Sequence, residues 1–462
     1  TKLNVNRVFD WEFAMQRGQF SSTFTFVLAA AGSAVGLGNI WGFPTNAAEN
    51  GGAGFLLMYL ILAFLLAYPA LMAELIIGRH TRANMVMALD SIATSQSAKK
   101  LGRLTGYAGM LTASLILSFY AIVAGWMLGS LAEPVASFFG FEALGAWLTA
   151  FGTARNIILT SLFMLLTGLI INAGVEQGIE KWSRRLMPSL LILLVALIAY
   201  VLTREGATDG LRHYLVPDFS QMTNPDLIVS ALGQAFFSMS LGVGTMLIYG
   251  SYIRSDANLP MVGSLVTLAD TGIAFLAGLL ILPAMFVAQN LGVAIYGDDG
   301  SLIGGPNLIF QVLPTLFESM GGVGFLVGFA FFVLMSIAAV TSSTSLLEVP
   351  VSYAVENHNM SRKRATLCLS SVIFALSVAI CLNFDALFDA VISLTTEWAQ
   401  PLISMLICLF AGWVFYRNSI LNELKQGNPD IEHSLFWKLW PVYVRFVCPA
   451  LIGVIIFQGL LF

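Results

Sequence analysis

The sequence is dominated by long apolar runs, about eleven of them, each long enough to cross the roughly 30 Å hydrocarbon core of a bilayer. Hydrophobic residues make up 57% of the 462 residues and charged residues only 10%, and the mean hydropathy is +0.82. Because the runs are continuously apolar, they predict α-helices. They lie at roughly 22–46, 53–78, 105–131, 154–173, 185–203, 226–250, 261–288, 323–355, 364–382, 388–415 and 438–462. We expect one all-α transmembrane domain over residues 1–462.

Lysine and arginine are unevenly distributed between the two sides of the predicted spans. If residue 1 is inside, most of them fall in the short inside connections. Examples are Arg79, Arg82, Lys99, Lys100, Arg103, Lys181, Arg184, Arg185, Arg362, Lys363 and Arg364. Positive charge concentrates in cytoplasmic loops, so this bias predicts a cytoplasmic N-terminus and an extracellular C-terminus. We expect an integral protein of the cell inner (plasma) membrane, surrounded by membrane lipid.

Sequence signatures of enzymes and metal centres are missing. The four cysteines are dispersed among the predicted spans, and neither an HExxH pattern nor a GxxxxGK[ST] loop occurs. A channel would need a continuous ring of carbonyls or charges along a pore, which the sequence does not indicate. We therefore expect neither an enzyme nor a nucleic-acid-binding protein.

Two of the apolar runs are interrupted near their middle. The first contains LAAAGSAVGLGNIWGFPTN, residues 28–46, and the sixth contains FFSMSLGVGTMLIYGSY, residues 236–252. If the first ten spans form two five-helix repeats, at about 20–203 and about 226–415, these two spans correspond to each other. Five is an odd number, so the second repeat would be inverted in the membrane, with an extra span at about 438–462.

Unwinding a helix inside a membrane has a physical cost that suggests a binding site. The freed carbonyls and amides are unfavourable next to lipid, whereas ions and a ligand can satisfy them. Half-helix N-termini favour a carboxylate, and free carbonyls favour Na⁺. The alternative is that the glycines only allow close helix packing. Two interruptions at corresponding positions favour a site.

The segments GSAVGLGNIWGFP, NGGAGFLLMYL, GQAFFSMSLGVG and VTSSTSLLEV resemble motifs of the neurotransmitter:sodium symporter family, which has the LeuT-type fold. The resemblance extends over essentially all eleven spans and points to a bacterial amino-acid transporter. It implies a five-plus-five inverted repeat, with spans 1 and 6 unwound at mid-membrane. It also implies sodium-coupled import by alternating access.

The resemblance further implies two sodium sites with hard, mostly neutral oxygen ligands. The first would use Ala34, Asn39, Ser238 and Asp270. The second would use Gly32, Val35, Ala338, Thr341 and Ser342. The alternative for the hydroxyls of Thr341 and Ser342 is hydrogen bonding to carbonyls of their own helix.

By the same resemblance, the substrate pocket lies between the two breaks. Its residues would be Ala34, Leu37, Gly38, Ile116, Tyr120, Phe237, Ser238, Met239, Ser240, Val243, Ser342 and Leu346. The amides of Leu37 and Gly38 and the hydroxyl of Tyr120 would hold a carboxylate. Monoamine carriers of the family have an aspartate where this chain has Gly36, so the ligand is expected to bring its own carboxylate. With Val243 in the pocket wall, we expect a hydrophobic L-amino acid, aromatic ones included.

The chain departs from chloride-dependent members of the family at two positions. Tyr59 and Gln234 match their halide ligands, but Ala274 replaces a hydroxyl, and Asp270 stands where those members have asparagine. A buried carboxylate beside Na⁺ supplies the negative charge that chloride would otherwise provide. We therefore expect no chloride requirement.

Gate residues are also implied by the resemblance. They are Tyr120 and Phe237 on the outside, and Arg17, Glu356 and Tyr252 on the inside. The outer ion pair of many members is not matched, because Gly42 and Ile392 stand at its positions. Arg17 and Glu356 are otherwise ordinary solvated loop charges.

Two further points stay open in the sequence. Gly178 and Pro188 enclose nine residues at the inner end of span 5; this pattern favours either local unwinding during release or a proline at a helix start. A nontransporting amino-acid sensor on the same fold, or a carrier for another carboxylate-bearing amine, would keep the same site. We expect a monomer or weak dimer.

Overall fold

A computed structural model describes residues 19–217, 219–297, 302 and 308–461. Span 1 is a bent pair of helices, Thr23–Ala34 and Gly38–Glu49, whose axes differ by 52°. Span 6 is a second pair, Pro225–Ser238 and Thr245–Ser251. The other spans, 2 to 5 and 7 to 11 in chain order, are Ala53–Thr81, Gln96–Phe138, Thr153–Asn172, Val175–Val201, Leu259–Asn290, Gly322–His358, Arg362–Leu382, Phe384–Val414 and Leu435–Phe457.

Short elements connect the spans. Helices cover Met85–Ser91, Glu142–Thr149, Ala207–Leu215, Leu313–Ser319 and Arg417–Lys425, with 3₁₀ turns at Phe219–Thr223 and Ile431–His433. The last helix of span 11, Cys448–Leu461, extends beyond Phe457. Stretches of π-helix occur at Gly38–Gly42, Ala63–Ala67, Val175–Glu180, Leu308–Val312, Ser393–Ala399, Phe410–Val414 and Tyr443–Val447.

The all-α fold expected from the sequence is confirmed. Within the described ranges, nine helices are long and apolar enough to cross a membrane, and the bent pair of span 1 makes ten. Each half of span 6 is too short to cross alone, and the pair separated by residues 239–244 accounts for the eleventh. Both expected interruptions, in spans 1 and 6, are present.

Span 2 packs directly against the second helix of span 6, Thr245–Ser251, with glycines at the contact. A Cβ atom at Gly78 would lie 1.9 Å from the carbonyl oxygen of Leu247, and one at Gly250 would lie 2.9 Å from that of Leu75. A side chain at either position would push the two backbones apart. Gly78 and Gly250 therefore permit backbone-to-backbone contact between the two helices.

The N-terminal end of span 5 is fully helical. Pro188 lies inside the helix Lys181–Val201, so the alternative of a proline at a helix start is wrong. Gly178 lies in the π-helical stretch before it, where an added Cβ atom would be 2.2 Å from the carbonyl oxygen of Ile170. This close contact with the end of span 4 gives Gly178 a structural role in the closed helix.

A buried ion pair joins span 2 to the connecting helix Arg417–Lys425. Arg79 Nε donates to Glu423 Oε1 at 2.6 Å, and its Nη1 donates to the carbonyl of Ala257 at 2.6 Å. His80 Nδ1 lies 3.2 Å from Glu423 Oε2. Burial alone raises the pKa of the Glu423 carboxyl, but hydrogen bonds and charge from His80 and Arg79 outweigh burial and hold that pKa below its usual value.

Candidate functional site

The break in span 1 exposes backbone groups that side chains of span 1 and of other spans satisfy. The amide of Leu37 donates to the hydroxyl oxygen of Tyr120 at 3.2 Å, and the carbonyl of Gly38 accepts from Gln234 Nε2 at 2.6 Å. The amide of Gly36 donates to Asn39 Oδ1 at 3.1 Å. Such partners are needed because a broken helix leaves donors and acceptors unpaired away from water.

The break in span 6 is a turn with left-handed backbone. Ser240, Gly242 and Gly244 have φ values of 53°, 75° and 84°. Glycine adopts this region without penalty, whereas serine does so at some cost. Both oxygens of Glu74 receive amide protons here, from Gly242 at 2.8 Å and from Leu247 at 3.2 Å. Glu74, fully buried in span 2, therefore anchors the turn.

Asp270 is the centre of a buried polar cluster between the two breaks. Its side chain is 0% exposed and accepts hydrogen bonds from Asn39 Nδ2 at 2.8 Å, Ser238 Oγ at 2.8 and 2.9 Å, and the Tyr59 hydroxyl at 3.2 Å. No lysine or arginine pairs with it among the described residues. A buried carboxylate without a basic partner is unfavourable unless a cation neutralises it.

The structure brings three of the four residues predicted for the first sodium site into contact. Asn39, Ser238 and Asp270 are directly hydrogen-bonded, and Ala34 is the last helical residue before the break. Carboxylate, amide and hydroxyl oxygens suit hard cations. The residues present therefore fit Na⁺.

The second predicted set spans the contact between span 1 and span 8. Ser342 Oγ donates to the carbonyl of Ser33 at 2.6 Å, between the predicted positions Gly32 and Val35. Thr341 Oγ1 donates to the carbonyls of Ile337 and Ala338, at 3.1 and 3.0 Å. Thr341 thus makes the intrahelical bonds of the alternative interpretation, and its oxygen lone pairs stay available to a cation.

Gly36 is tightly enclosed. A Cβ atom at this position would lie 2.1 Å from Ser342 Oγ, 2.7 Å from Ser342 Cβ and 2.9 Å from the Tyr120 hydroxyl. A side chain of any size, an aspartate included, has no room here unless the side chains of Ser342 and Tyr120 move. The absence of a carboxylate at this position is therefore part of the packing of the site.

A small cavity of about 20 Å³ lies between the breaks. Its lining contains Ala34, Gly38, Ile116, Tyr120, Phe237, Ser240, Val243, Ser342 and Leu346, nine of the twelve predicted substrate residues. Leu37 and Ser238 bond to neighbouring groups beside it, and Met239 packs toward Thr267 of span 7, with its sulfur 3.9 Å from Thr267 Oγ1. A cavity of this size holds about one water molecule, so an amino acid must widen it.

Gln400 also lines this cavity and was missed by the sequence analysis, as was Glu74. Each is a polar residue within an apolar run, Gln400 beside Pro401 and Glu74 in LMAELIIG. An acidic or amide side chain at membrane depth is itself a signal of a functional site.

Phe237 separates the small cavity from a larger outer one of about 260 Å³, and it lines both. Gly42, Asp389 and Ile392 line the outer cavity, where many family members are expected to have an ion pair. Phe237, which the sequence predicts as an outer gate residue, thus lies between the two cavities.

The predicted inner gate is described in part. Arg17 lies outside the described residues. Glu356 Oε2 accepts hydrogen bonds from the amide and side chain of Asn84, at 2.8 and 2.9 Å. Tyr252 donates from its hydroxyl to Glu348 Oε1 at 2.7 Å, and Glu348 also pairs with Arg362.

Comparison with known proteins gives the same family. The profile of the Sodium:neurotransmitter symporter family matches residues 17–143 and 130–461. The chain is 32% identical over 463 residues to an uncharacterized sodium-dependent transporter, YhdH, of Bacillus subtilis (strain 168), covering 96% of this chain and 97% of the relative. It is 24% identical to the sodium- and chloride-dependent taurine transporter of Homo sapiens, covering 96% of this chain and 78% of the relative.

A solved structure shares the fold. The crystal structure of MhsT in complex with L-phenylalanine matches with a TM-score of 0.84 and 37% sequence identity, over 96% of this chain and 100% of that one. Two spans are broken, and a polar cluster lies between the breaks. The similarity to family members extends over nearly the whole chain. The chain belongs to the Sodium:neurotransmitter symporter family and is a sodium-dependent transporter of the membrane.

Proposed function

We propose that the protein imports hydrophobic L-amino acids, aromatic ones included, together with Na⁺ and without chloride. The observation that carries the proposal is the packing of Gly36 against Ser342 and Tyr120, which leaves no space for a carboxylate from the protein. A substrate with its own carboxylate would bond to the amides of the span 1 break and to the Tyr120 hydroxyl. The complex of the similar protein MhsT with L-phenylalanine is consistent with this class.

Two sodium ions are proposed to travel with the substrate. Asp270, Asn39, Ser238 and Ala34 would hold the first. The second would lie where span 8 meets span 1, with oxygens of Gly32, Val35, Ala338, Thr341 and Ser342. Each ion that crosses the full field contributes about 2.3 kcal/mol per 100 mV of membrane potential.

Asp270 is the proposed reason for chloride independence. Its carboxylate lies beside Tyr59, at the place where chloride-dependent relatives are expected to hold the halide, and Ala274 offers no hydroxyl. A fixed negative charge then balances Na⁺. On the return step, after Na⁺ leaves, Asp270 would take up a proton, because an uncompensated buried carboxylate is unfavourable.

Transport would proceed by alternating access. The carbonyls of the breaks and Asp270 are better satisfied with Na⁺ bound, so Na⁺ favours the conformation in which these groups converge. Phe237 would then close over the substrate from the outside.

The first test is the melting temperature of the purified protein with a panel of L-amino acids in NaCl, KCl and sodium gluconate. Ligands that bind only the folded state raise this temperature. We expect hydrophobic amino acids to stabilise the protein in both sodium salts and not in KCl. Uptake by proteoliposomes then separates a carrier from a nontransporting sensor. If no amino acid raises the melting temperature in Na⁺, the proposed substrate class is refuted. If stabilisation requires chloride, the proposed role of Asp270 is refuted.

A further inference from the structure

Gln400 lines the small cavity between the two breaks, called the central cavity below. Only one end of its side-chain amide has a hydrogen-bond partner. The residue begins the helical stretch Gln400–Leu409, directly after the π-helical stretch Ser393–Ala399 of span 10. Gln400 is only 1% exposed, and its Nε2 donates to the carbonyl of Leu241 at 2.9 Å. Among the described residues, Oε1 has no hydrogen-bond partner.

The orientation of this amide follows from its one bond. A backbone carbonyl is only an acceptor, so the nitrogen of Gln400 must face Leu241 and the oxygen must face elsewhere. Buried acceptors without a partner are uncommon in folded proteins and need an explanation. Ser404, one helical turn further along, also has a buried hydroxyl without a partner. Span 10 thus presents two unsatisfied polar groups beside the break of span 6.

The position of Gln400 places it near the side-chain end of the proposed substrate. The carboxylate end is set by the span 1 amides and Tyr120. Val243 lines the same cavity and follows Gly242, whose Cβ position would lie 2.2 Å from the backbone oxygen of Gln400. Ile116 and Leu346 complete an apolar wall around the same cavity. Ile116, Val243 and Leu346 thus give the cavity an apolar part, and Gln400 adds an acceptor without a partner.

We propose that Gln400 is a specificity-determining residue, whose Oε1 accepts a hydrogen bond from the side chain of the substrate. This inference rests on the proposed function. The apolar wall favours an aromatic ring, and the acceptor favours a ring that carries a donor. The preferred substrates are then tyrosine, through its hydroxyl, and tryptophan, through its indole N–H, rather than phenylalanine.

The proposal predicts a difference in affinity between two ligands of similar shape, of which only one carries a side-chain hydrogen-bond donor. A site that hydrogen-bonds a substrate hydroxyl or N–H discriminates against an analogue lacking it, because the buried group is then left unpaired. For one uncharged acceptor we expect a preference of about tenfold or more. The alternative is that Oε1 bonds to a water that remains in place, since the cavity holds about one.

The test measures affinities of the purified full-length protein in NaCl. One ligand pair is L-tyrosine with L-4-fluorophenylalanine, and the other is L-tryptophan with L-1-methyltryptophan. In each pair only the first member carries the side-chain donor. We expect the wild-type protein to prefer the donor by about tenfold, and Gln400→Leu and Gln400→Met to reduce that preference to about twofold or less. The ratio within a pair cancels any general loss of affinity from breaking the bond to Leu241.

The matched control is Gln234→Leu. Gln234 is also buried and also donates to a carbonyl at a break, that of Gly38, but its Oε1 accepts from Asn46 and it does not line the central cavity. Its loss should weaken all four ligands alike and leave both ratios unchanged. A purely structural role of Gln400 would give the same result as this control and would overturn the proposal.

Two other outcomes are equally decisive. Equal affinity of the wild-type protein for both members of each pair overturns the proposal and favours the resident water; this measurement needs no variant to fold. A donor preference that persists in Gln400→Leu overturns it too. If no amino acid binds in Na⁺, the proposed function itself fails. That result differs from failure of the Gln400 proposal, because none of the four ligands then binds.

Discussion

Substitution of Gly36 by alanine should impair binding far more than the small change in volume suggests. The added carbon would lie 2.1 Å from Ser342 Oγ, whereas ordinary contacts are at 3.4 to 4 Å, so neighbouring atoms must move by more than 1 Å. Ser342 is held by its bond to the Ser33 carbonyl, and Tyr120 by its bond to the Leu37 amide. Overpacking of this kind costs about 1–3 kcal/mol, and loss of the Ser342 bond adds about 1 kcal/mol.

If this total of about 2–4 kcal/mol falls on the binding-competent conformation, substrate affinity drops by about 30-fold to about 700-fold. The assay is sodium-dependent amino-acid binding to the purified protein, with the melting temperature recorded in parallel. Gly272→Ala is the control, because an added carbon at that exposed position of span 7 has no atom within 4 Å. Affinity of Gly36→Ala within about threefold of wild type, at an unchanged melting temperature, would refute the packing argument.

Three further changes test other parts of the structure. Asp270→Asn should raise the half-saturating Na⁺ concentration of proteoliposome uptake by about tenfold or more and make uptake respond to chloride, because the fixed charge beside Na⁺ is lost; normal uptake in gluconate would contradict this. Glu74→Gln leaves one of the amides of Gly242 and Leu247 without its acceptor, so the free energy of unfolding should fall by about 1–3 kcal/mol, and an unchanged melting temperature would count against it. The depressed pKa of Glu423 stabilises the folded protein above the ordinary carboxyl pKa of 4.5, and this contribution is lost as the pH falls from there through the folded-state pKa. The melting temperature should therefore decline more steeply in wild type than in Glu423→Gln between about pH 5 and about pH 3.

The sequence predicted the architecture well because apolar run length and helix-breaking residues are local signals. The interruptions of spans 1 and 6 are visible as glycine and polar residues inside apolar runs, and both are present in the fold. The substrate class rests on Gly36, and the reason for a glycine there became clear only from Ser342 and Tyr120, which are distant in sequence.

Other parts of the site depend on tertiary packing and have no periodic signature. Glu74 and Gln400 are single polar residues in apolar runs, and their partners at the span 6 break follow from how spans 2 and 10 cross it. The stretch Ser393–Ala399, which precedes Gln400, is π-helical, but its amino-acid composition does not distinguish it from an α-helix. The sequence also left open whether the helix around Gly178 and Pro188 is continuous or unwound, because both residues are compatible with either conformation.

The glycine contact between span 2 and the second helix of span 6 has a mechanical consequence. With backbone against backbone at Gly78 and Gly250, there is no layer of side chains on which one helix can slide past the other. We therefore expect the two helices to move as one unit, with any change of angle taken up at the left-handed turn of Ser240, Gly242 and Gly244. Glu74, which lies on span 2 and accepts hydrogen bonds from the turn, would then link movement of this unit to the geometry of the binding site.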